Sequence, residues 1–85
     1  MAKLVALDAN LIILLVVGLT NPKYISIHKR LQQYDIAALN LLTNTIAQFD
    51  ALIVTPNALS EASNLLRYVA DPAKTIIAKT FHNFI

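Results

Sequence analysis

The sequence predicts an α/β fold in which a short parallel sheet is flanked by helices. Residues 3–7 and 51–54 form two short apolar runs without polar–apolar alternation, as expected for strands buried on both faces. Between and after these runs, apolar residues recur at helical spacing. Strands separated by helices pair in parallel through a right-handed crossover, so the two runs are predicted to be neighbouring parallel strands.

The composition indicates one small domain. The chain has 85 residues, of which 56% are hydrophobic and 14% are charged, so it is too apolar for intrinsic disorder. This apolar excess predicts that the chain buries surface against a partner, as a homo-oligomer, or against a missing part of its own domain. Cysteine is absent, which excludes a disulfide framework and a zinc–thiolate site. The formal net charge of +2 is compatible with nucleic acid but does not identify it.

The first helix is predicted over residues 11–17. Periodicity alone leaves strand and helix open for this run, but Asn10 is a suitable N-cap and Gly18, the only glycine, is a suitable C-terminal stop. Asn21 and Pro22 then mark a loop. Ser26 is expected to cap a short helix that ends near residue 33.

Three later helices begin at recognisable caps. Asp35 precedes the first of them, Thr55 with Pro56 begins the next, and Asp71 repeats that pattern before the last. Their predicted core-facing residues are Ile36, Leu39, Leu42, Ile46 and Phe49 in the first, Leu59, Ala62, Leu65, Leu66 and Val69 in the second, and Ile77, Phe81 and Phe84 in the third.

The apolar segment over residues 4–19 is not predicted to cross a membrane. Asp8 and Asn10 interrupt it, and the uninterrupted part is shorter than the roughly 20 residues that a span requires. A signal peptide would need a small-residue cleavage site, whereas Gly18 to Pro22 has the character of a helix stop and a turn. A soluble, cytoplasmic chain is therefore expected.

Two carboxylates follow the predicted strands. Asp8 ends the first apolar run, and Glu61 lies about one and a half turns into the helix after the second. Ligands of a parallel sheet bind outside the carboxyl ends of its strands, so both carboxylates are expected to face one crevice. Asn57, Glu61 and Asn64 share one face of their helix. Such hard oxygen ligands suit Mg²⁺ or Mn²⁺, which points to phosphodiester chemistry.

The segments around these residues resemble a PIN domain, the fold of many metal-dependent ribonucleases, including the toxins of bacterial toxin–antitoxin pairs. Residues 4–10, Leu-Val-Ala-Leu-Asp-Ala-Asn, are similar to the family's opening motif, an apolar strand that ends in Asp with a small polar residue two positions later. Residues 53–61, Ile-Val-Thr-Pro-Asn-Ala-Leu-Ser-Glu, are similar to its second motif, an apolar strand, a proline-containing helix start and a Glu. The resemblance covers about the first half of the family's domain, so residues 1–85 are expected to be a single PIN-like domain that lacks its C-terminal part.

The resemblance implies a three-layer fold and hydrolysis of RNA phosphodiester bonds with Mg²⁺ or Mn²⁺ as cofactor. By resemblance, Asp8 and Glu61 are the catalytic metal ligands, and Asn10, Asn57 and Asn64 orient water or phosphate. The implied partners are an RNA substrate and, in a toxin–antitoxin pair, an antitoxin protein. The chain has an alanine after Asp8 where the family often has Ser or Thr. It also lacks the family's third acidic motif, which leaves open whether this chain alone is active.

Plainer interpretations stand beside these. Asp8 can be a helix N-cap, and Glu61 a solvated helix residue. The basic triplet His28, Lys29 and Arg30 can contact an RNA backbone or form a solvated helix face. For the whole chain, the alternative to a ribonuclease is a truncated or degenerate, non-catalytic PIN-like module that binds a partner protein through exposed apolar surface.

Overall fold

The helices and strands lie in an order close to the predicted one. The computed structural model describes residues 3–84. It contains β1 (Leu4–Ala6), α1 (Ala9–Thr20), two short 3₁₀ helices (Pro22–Ser26 and Lys29–Leu31), α2 (Ile36–Ile46), β2 (Ala51–Ile53), α3 (Pro56–Leu65) and α4 (Ala73–Phe84). The described chain is therefore a mixed α/β structure that is mostly helical.

The two strands pair in parallel, as predicted. Leu4 lies opposite Ala51 and Ala6 lies opposite Ile53. The Leu7 N–H extends the ladder by donating to the Ile53 carbonyl at 3.3 Å. The intervening helices thus form the crossover that a parallel pair requires.

Within residues 3–84 the sheet is covered on one face only, so the predictions of strands buried on both faces and of a three-layer fold are wrong for this part of the chain. Val5 and Leu52 are half-buried against the core, whereas Leu4 is 53% and Ile53 is 41% exposed. Successive side chains of a strand point to opposite faces, which explains this exposed, half-buried, exposed pattern in both strands. We call the uncovered side the open sheet face; its side chains are Leu4, Ala6, Ala51 and Ile53.

Helix α1 is the central element of the core. Residues 12–18 are all buried, and the helix packs against α2, α3, α4 and both 3₁₀ helices. A helix that is apolar all round is a buried one, which is why the periodicity of this run did not separate helix from strand. None of the helices within residues 3–84 combines the length and the apolar character needed to cross a membrane.

Both predicted ends of α1 are wrong. Asp8 is the N-cap, because its Oδ1 accepts a hydrogen bond from the Leu11 N–H at 2.9 Å, and Asn10 lies within the first turn. Gly18 does not end the helix, which continues to Thr20. A Cβ atom at Gly18 would lie 2.5 Å from Cδ1 of Leu39, so this glycine permits α1 and α2 to approach closely.

The segment between α1 and α2 also differs from the prediction. Ser26 does not cap a helix; its hydroxyl donates to the Lys23 carbonyl at 3.0 Å, and two separate 3₁₀ helices replace the predicted one. His28 has an extended backbone conformation and interrupts the segment. Its Nδ1 accepts from the Arg30 N–H at 3.2 Å and so caps the second 3₁₀ helix.

The caps at Asp35 and Thr55 are confirmed, whereas Asp71 lies one position before the N-cap, because α4 begins at Ala73 rather than at Pro72. Asp35 Oδ1 accepts from the Ala38 N–H at 2.8 Å, and Thr55 Oγ1 accepts from the Ala58 N–H at 3.2 Å. Asp71 Oδ1 accepts from an N–H in the first turn of α4 at 3.0 Å. Each bond satisfies one of the amide groups that a helix start leaves without an internal partner.

Most predicted core-facing positions of these helices lie in the core. The buried ones are Leu39, Leu42, Ala62, Leu66 and Ile77, and those half-buried against the core are Ile46, Leu65, Val69, Phe81 and Phe84. Ile36 is 53% exposed at the first position of α2, and Phe49 and Leu59 are half-buried without packing against the core, so these three predictions are wrong.

Candidate functional site at the carboxyl edge of the sheet

The parallel pairing brings the starts of α1 and α3 to one edge of the sheet. β1 and β2 end opposite each other at Ala6 and Ile53, and Asp8 and Thr55 cap the helices that follow. We call this side the carboxyl edge. The N–H groups at a helix N-terminus carry partial positive charge, which favours a phosphate and disfavours a bare cation. A cation site here therefore depends on carboxylates.

Asp8 has a structural role at this edge as the N-cap of α1. Its side chain is exposed, and Oδ1 is occupied by the hydrogen bond to the Leu11 N–H. The N-cap interpretation is therefore confirmed. A carboxylate has two oxygens with several lone pairs, so Oδ2 remains able to bind a cation while Oδ1 caps the helix. The role of Asp8 as a metal ligand stays a prediction.

Glu61 differs from the other carboxylates of the chain. Asp8, Asp35 and Asp71 accept hydrogen bonds from N–H groups in the first turns of helices, and Asp50 accepts from the Lys3 N–H at 2.7 Å. Glu61 is exposed and makes no hydrogen bond or ion pair within residues 3–84. It is the one acidic residue for which the described structure supplies no stabilising role.

The three candidate asparagines are solvent-accessible. Asn57 and Asn64 lie on the exposed side of α3 with Glu61, and Asn10 is exposed in the first turn of α1. Helices α1 and α3 pack against each other. All three amides are thus free to bond water or a phosphate oxygen.

The residues present suit a weakly held, hydrated ion. No group of three or more His, Cys, Asp or Glu side chains that could hold a metal occurs in residues 3–84. Mg²⁺ keeps several waters and is usually bound through one or two carboxylates plus substrate phosphates. Asp8 and Glu61 match that modest requirement in number and chemistry, and a phosphate-bearing substrate would complete the coordination.

His28 is not placed to contact RNA. Its side chain is fully buried. Because Nδ1 accepts from the Arg30 N–H, the proton of the neutral ring belongs on Nε2, which lies 3.3 Å from the Leu66 carbonyl and donates to it. Burial lowers the pKa of His28; the hydrogen bond to the Leu66 carbonyl opposes this effect in part, and the Arg30 charge adds a smaller lowering. The ring links the second 3₁₀ helix to the end of α3 as a neutral group.

The other two members of the basic triplet remain on the surface. Lys29 and Arg30 are exposed, and the Arg30 guanidinium lies 5.6 Å from the centre of the Tyr68 ring, within range of a cation–π interaction. The Lys29 N–H donates to the Tyr68 carbonyl at 3.2 Å. The triplet is therefore a folded connection to the α3–α4 turn, with two exposed cations.

Comparison with known protein families, with curated proteins and with solved structures finds no match for this chain. The resemblance to the PIN domain thus rests on the two sequence motifs.

Proposed function

We propose that this chain is a PIN-like, metal-dependent ribonuclease domain in which Asp8 and Glu61 together bind one Mg²⁺ or Mn²⁺ ion. One observation carries the proposal: β1 and β2 pair in parallel, so Asp8 and the start of the Glu61 helix lie at the same edge of the sheet. This edge is where α/β proteins bind ligands. The exposed and unbonded state of Glu61 supports the same interpretation.

The reaction would be hydrolysis of an RNA phosphodiester bond. When bound, the ion supplies an activated water and stabilises charge on the phosphate. The chain itself contributes the negative charges of Asp8 Oδ2 and Glu61 to hold the ion. Asn10, Asn57 and Asn64 offer amide groups that orient water or a phosphate oxygen. The N-termini of α1 and α3 add a favourable field for the phosphate.

Asp8→Asn tests this role without removing the helix cap. Asparagine caps about as well as aspartate and keeps the oxygen that accepts from the Leu11 N–H. It removes the charge that a hard cation needs. Asp35→Asn is the matched control, since Asp35 caps α2 with the same geometry and does not follow a strand.

The assay is Mg²⁺- or Mn²⁺-dependent cleavage of a single-stranded RNA, with thermal melting of every variant. We expect Asp8→Asn and Glu61→Gln to abolish cleavage with unchanged melting, and Asp35→Asn to retain it. Full activity of Asp8→Asn, or no metal-dependent cleavage by the unaltered chain, would contradict the proposal.

The open sheet face favours a second candidate, a non-catalytic module that binds protein. Its uncovered apolar side chains and unpaired strand edges suit a second copy of this chain or another protein, such as an antitoxin. Leu4→Thr with Ile53→Thr keeps β-propensity but removes much of the apolar surface. If the face joins two copies, sedimentation will show an oligomer that this double variant converts to monomer. A monomeric unaltered chain would exclude that form of the candidate.

A further inference from the structure

Helices α3 and α4 enclose a cleft whose charged side chains are all basic. The cleft has a volume of about 390 Å³, with an apolar floor and a polar rim. Its floor includes Leu66 and Phe81, and its rim includes Ser63, Arg67, Lys74 and His82. Arg67, Lys74 and His82 are exposed. The cleft therefore offers cations and a hydroxyl around a partly exposed aromatic ring.

One carboxylate close to Lys74 offsets the positive charge of this cleft in part. Asp71, in the turn before α4, accepts hydrogen bonds from the Thr75 hydroxyl at 2.7 Å and the Thr75 N–H at 3.0 Å. The Thr75 hydroxyl bond lowers the pKa of Asp71, with a smaller contribution from the charge of Lys74. Asp71 thus offsets Lys74 in part, while the lining of the cleft places no carboxylate beside Arg67.

Two adjoining clefts extend this site into a longer groove. One shares Ser63 and Phe81 with it and adds Ser60 and Asn64. The other shares His82 and adds Lys79 among its lining. Lys74 and Lys79 are five residues apart on one helix, which corresponds to about 7.5 Å along its axis. A groove with cations spaced along it suits a polyanion better than a single small anion.

We propose that this α3–α4 groove binds the phosphate backbone of single-stranded nucleic acid. Arg67 and Lys74 contact phosphates, and the partly exposed Phe81 ring provides an apolar surface for a base. The binding itself is independent of the metal site. Only the path of the nucleic-acid strand along the groove rests on the proposed function. Ser60 and Asn64, at one end of the groove, lie next to or near Glu61 in the sequence of α3, so this is the end that leads to the proposed metal site.

The test is fluorescence anisotropy with a labelled twelve-nucleotide oligouridine in EDTA, so that no metal site contributes. Arg67→Gln with Lys74→Gln is compared with Lys3→Gln and Lys23→Gln, two exposed cations outside both the groove and the basic triplet. Each pair changes the formal net charge from +2 to 0 by removing two cations. All four residues are exposed, so melting temperatures should match that of the unaltered chain. If the groove pair melts early, Lys74→Gln alone replaces it.

The groove pair should weaken binding about 25-fold at 0.1 M salt and lower the slope of log K against log salt by about 1.4, since each single-strand phosphate contact contributes about 0.7. Lys74→Gln alone should weaken binding about fivefold on the same basis. The control pair should leave both quantities nearly unchanged, and the charge-preserving pair Arg67→Lys with Lys74→Arg should bind like the unaltered chain.

Several results would overturn the proposal. If both pairs of substitutions weaken oligouridine binding equally, the attraction is diffuse and there is no specific site. If the unaltered chain does not bind oligouridine in EDTA, the groove is not a nucleic-acid site. If an oligoglutamate of equal charge displaces the labelled oligouridine as effectively as unlabelled RNA does, the groove is instead a site for an acidic protein segment. Oligouridine binding without cleavage on adding Mg²⁺ or Mn²⁺ would instead contradict the ribonuclease proposal and leave the groove standing.

Discussion

Replacing Gly18 by alanine should destabilise this protein, although alanine is the better helix former. In an exposed helix interior the same change gains about 1 kcal/mol. Here the added Cβ would lie 2.5 Å from Cδ1, 2.7 Å from Cδ2 and 3.1 Å from Cγ of Leu39. Leu39 is only 8% exposed, so its side chain has little open space into which to move.

The expected loss of stability follows from two opposing effects, the crowding of Leu39 and the gain in helix propensity. Inserting a methyl group into a packed core costs about 1–3 kcal/mol. Subtracting the gain of about 1 kcal/mol in helix propensity leaves a net loss of about 1 kcal/mol in the free energy of unfolding. For a domain of this size, that loss lowers the melting temperature by about 4–8 °C.

A double-mutant cycle with Leu39→Ala isolates the contact. Leu39→Ala alone should cost about 2–5 kcal/mol, because it leaves a cavity. In that background Gly18→Ala should stabilise by about 1 kcal/mol, since the clash is gone and the propensity gain remains. Urea unfolding monitored by circular dichroism provides all four free energies. A stabilising Gly18→Ala in the unaltered chain, or simple additivity of the two changes, would refute the close α1–α2 packing.

Two further predictions concern pH and capping. The pKa of His28 is lower in the folded chain than in the unfolded chain, so the unfolded chain takes up a proton first as the pH falls. The stability that neutral His28 provides is therefore present above about pH 6.5 and decreases below it. Unfolding measured from pH 7 to pH 5 should show this loss, and His28→Gln should flatten the pH dependence. Thr55→Ala should cost about 1 kcal/mol by removing the α3 cap and Thr55→Ser much less, and equal melting of the two would argue against the hydroxyl bond.

Local chemistry explains the parts of the fold that were predictable. Asp35 and Thr55 carry a side-chain acceptor immediately before a helical apolar stripe, and such caps need no information from distant residues. The parallel pair followed from two apolar runs separated by helices. The placement of Asp8 just after β1 and of Glu61 in the helix after β2 followed from the same pattern.

The misassigned features depend on tertiary contacts. Asp8 and Asn10 are both good caps, and the sequence could not choose between them. Gly18 resembled a helix stop, but its role is set by Leu39, which lies 21 positions away. His28 belonged to a basic triplet in sequence, yet its ring is buried by the end of α3.

The α3–α4 groove was missed for a similar reason. The sequence did carry one indication of the groove. After Glu61 it contains three cationic residues, Arg67, Lys74 and Lys79, but only one carboxylate, Asp71. Those residues are spread over two helices and a turn, and only their packing shows that Arg67 and Lys74 border one cleft.

The central claim is that Asp8 and Glu61 bind one cation together, and Mn²⁺ titration by electron paramagnetic resonance tests it most directly. The unaltered chain should bind one Mn²⁺ per chain at this edge. Asp8→Asn and Glu61→Gln should each weaken that binding by at least about tenfold, or 1.4 kcal/mol. The double variant should be little worse than either single one, because both changes disrupt the same site. Independent losses that multiply in the double variant, or Mn²⁺ binding unaffected by both changes, would contradict a shared site.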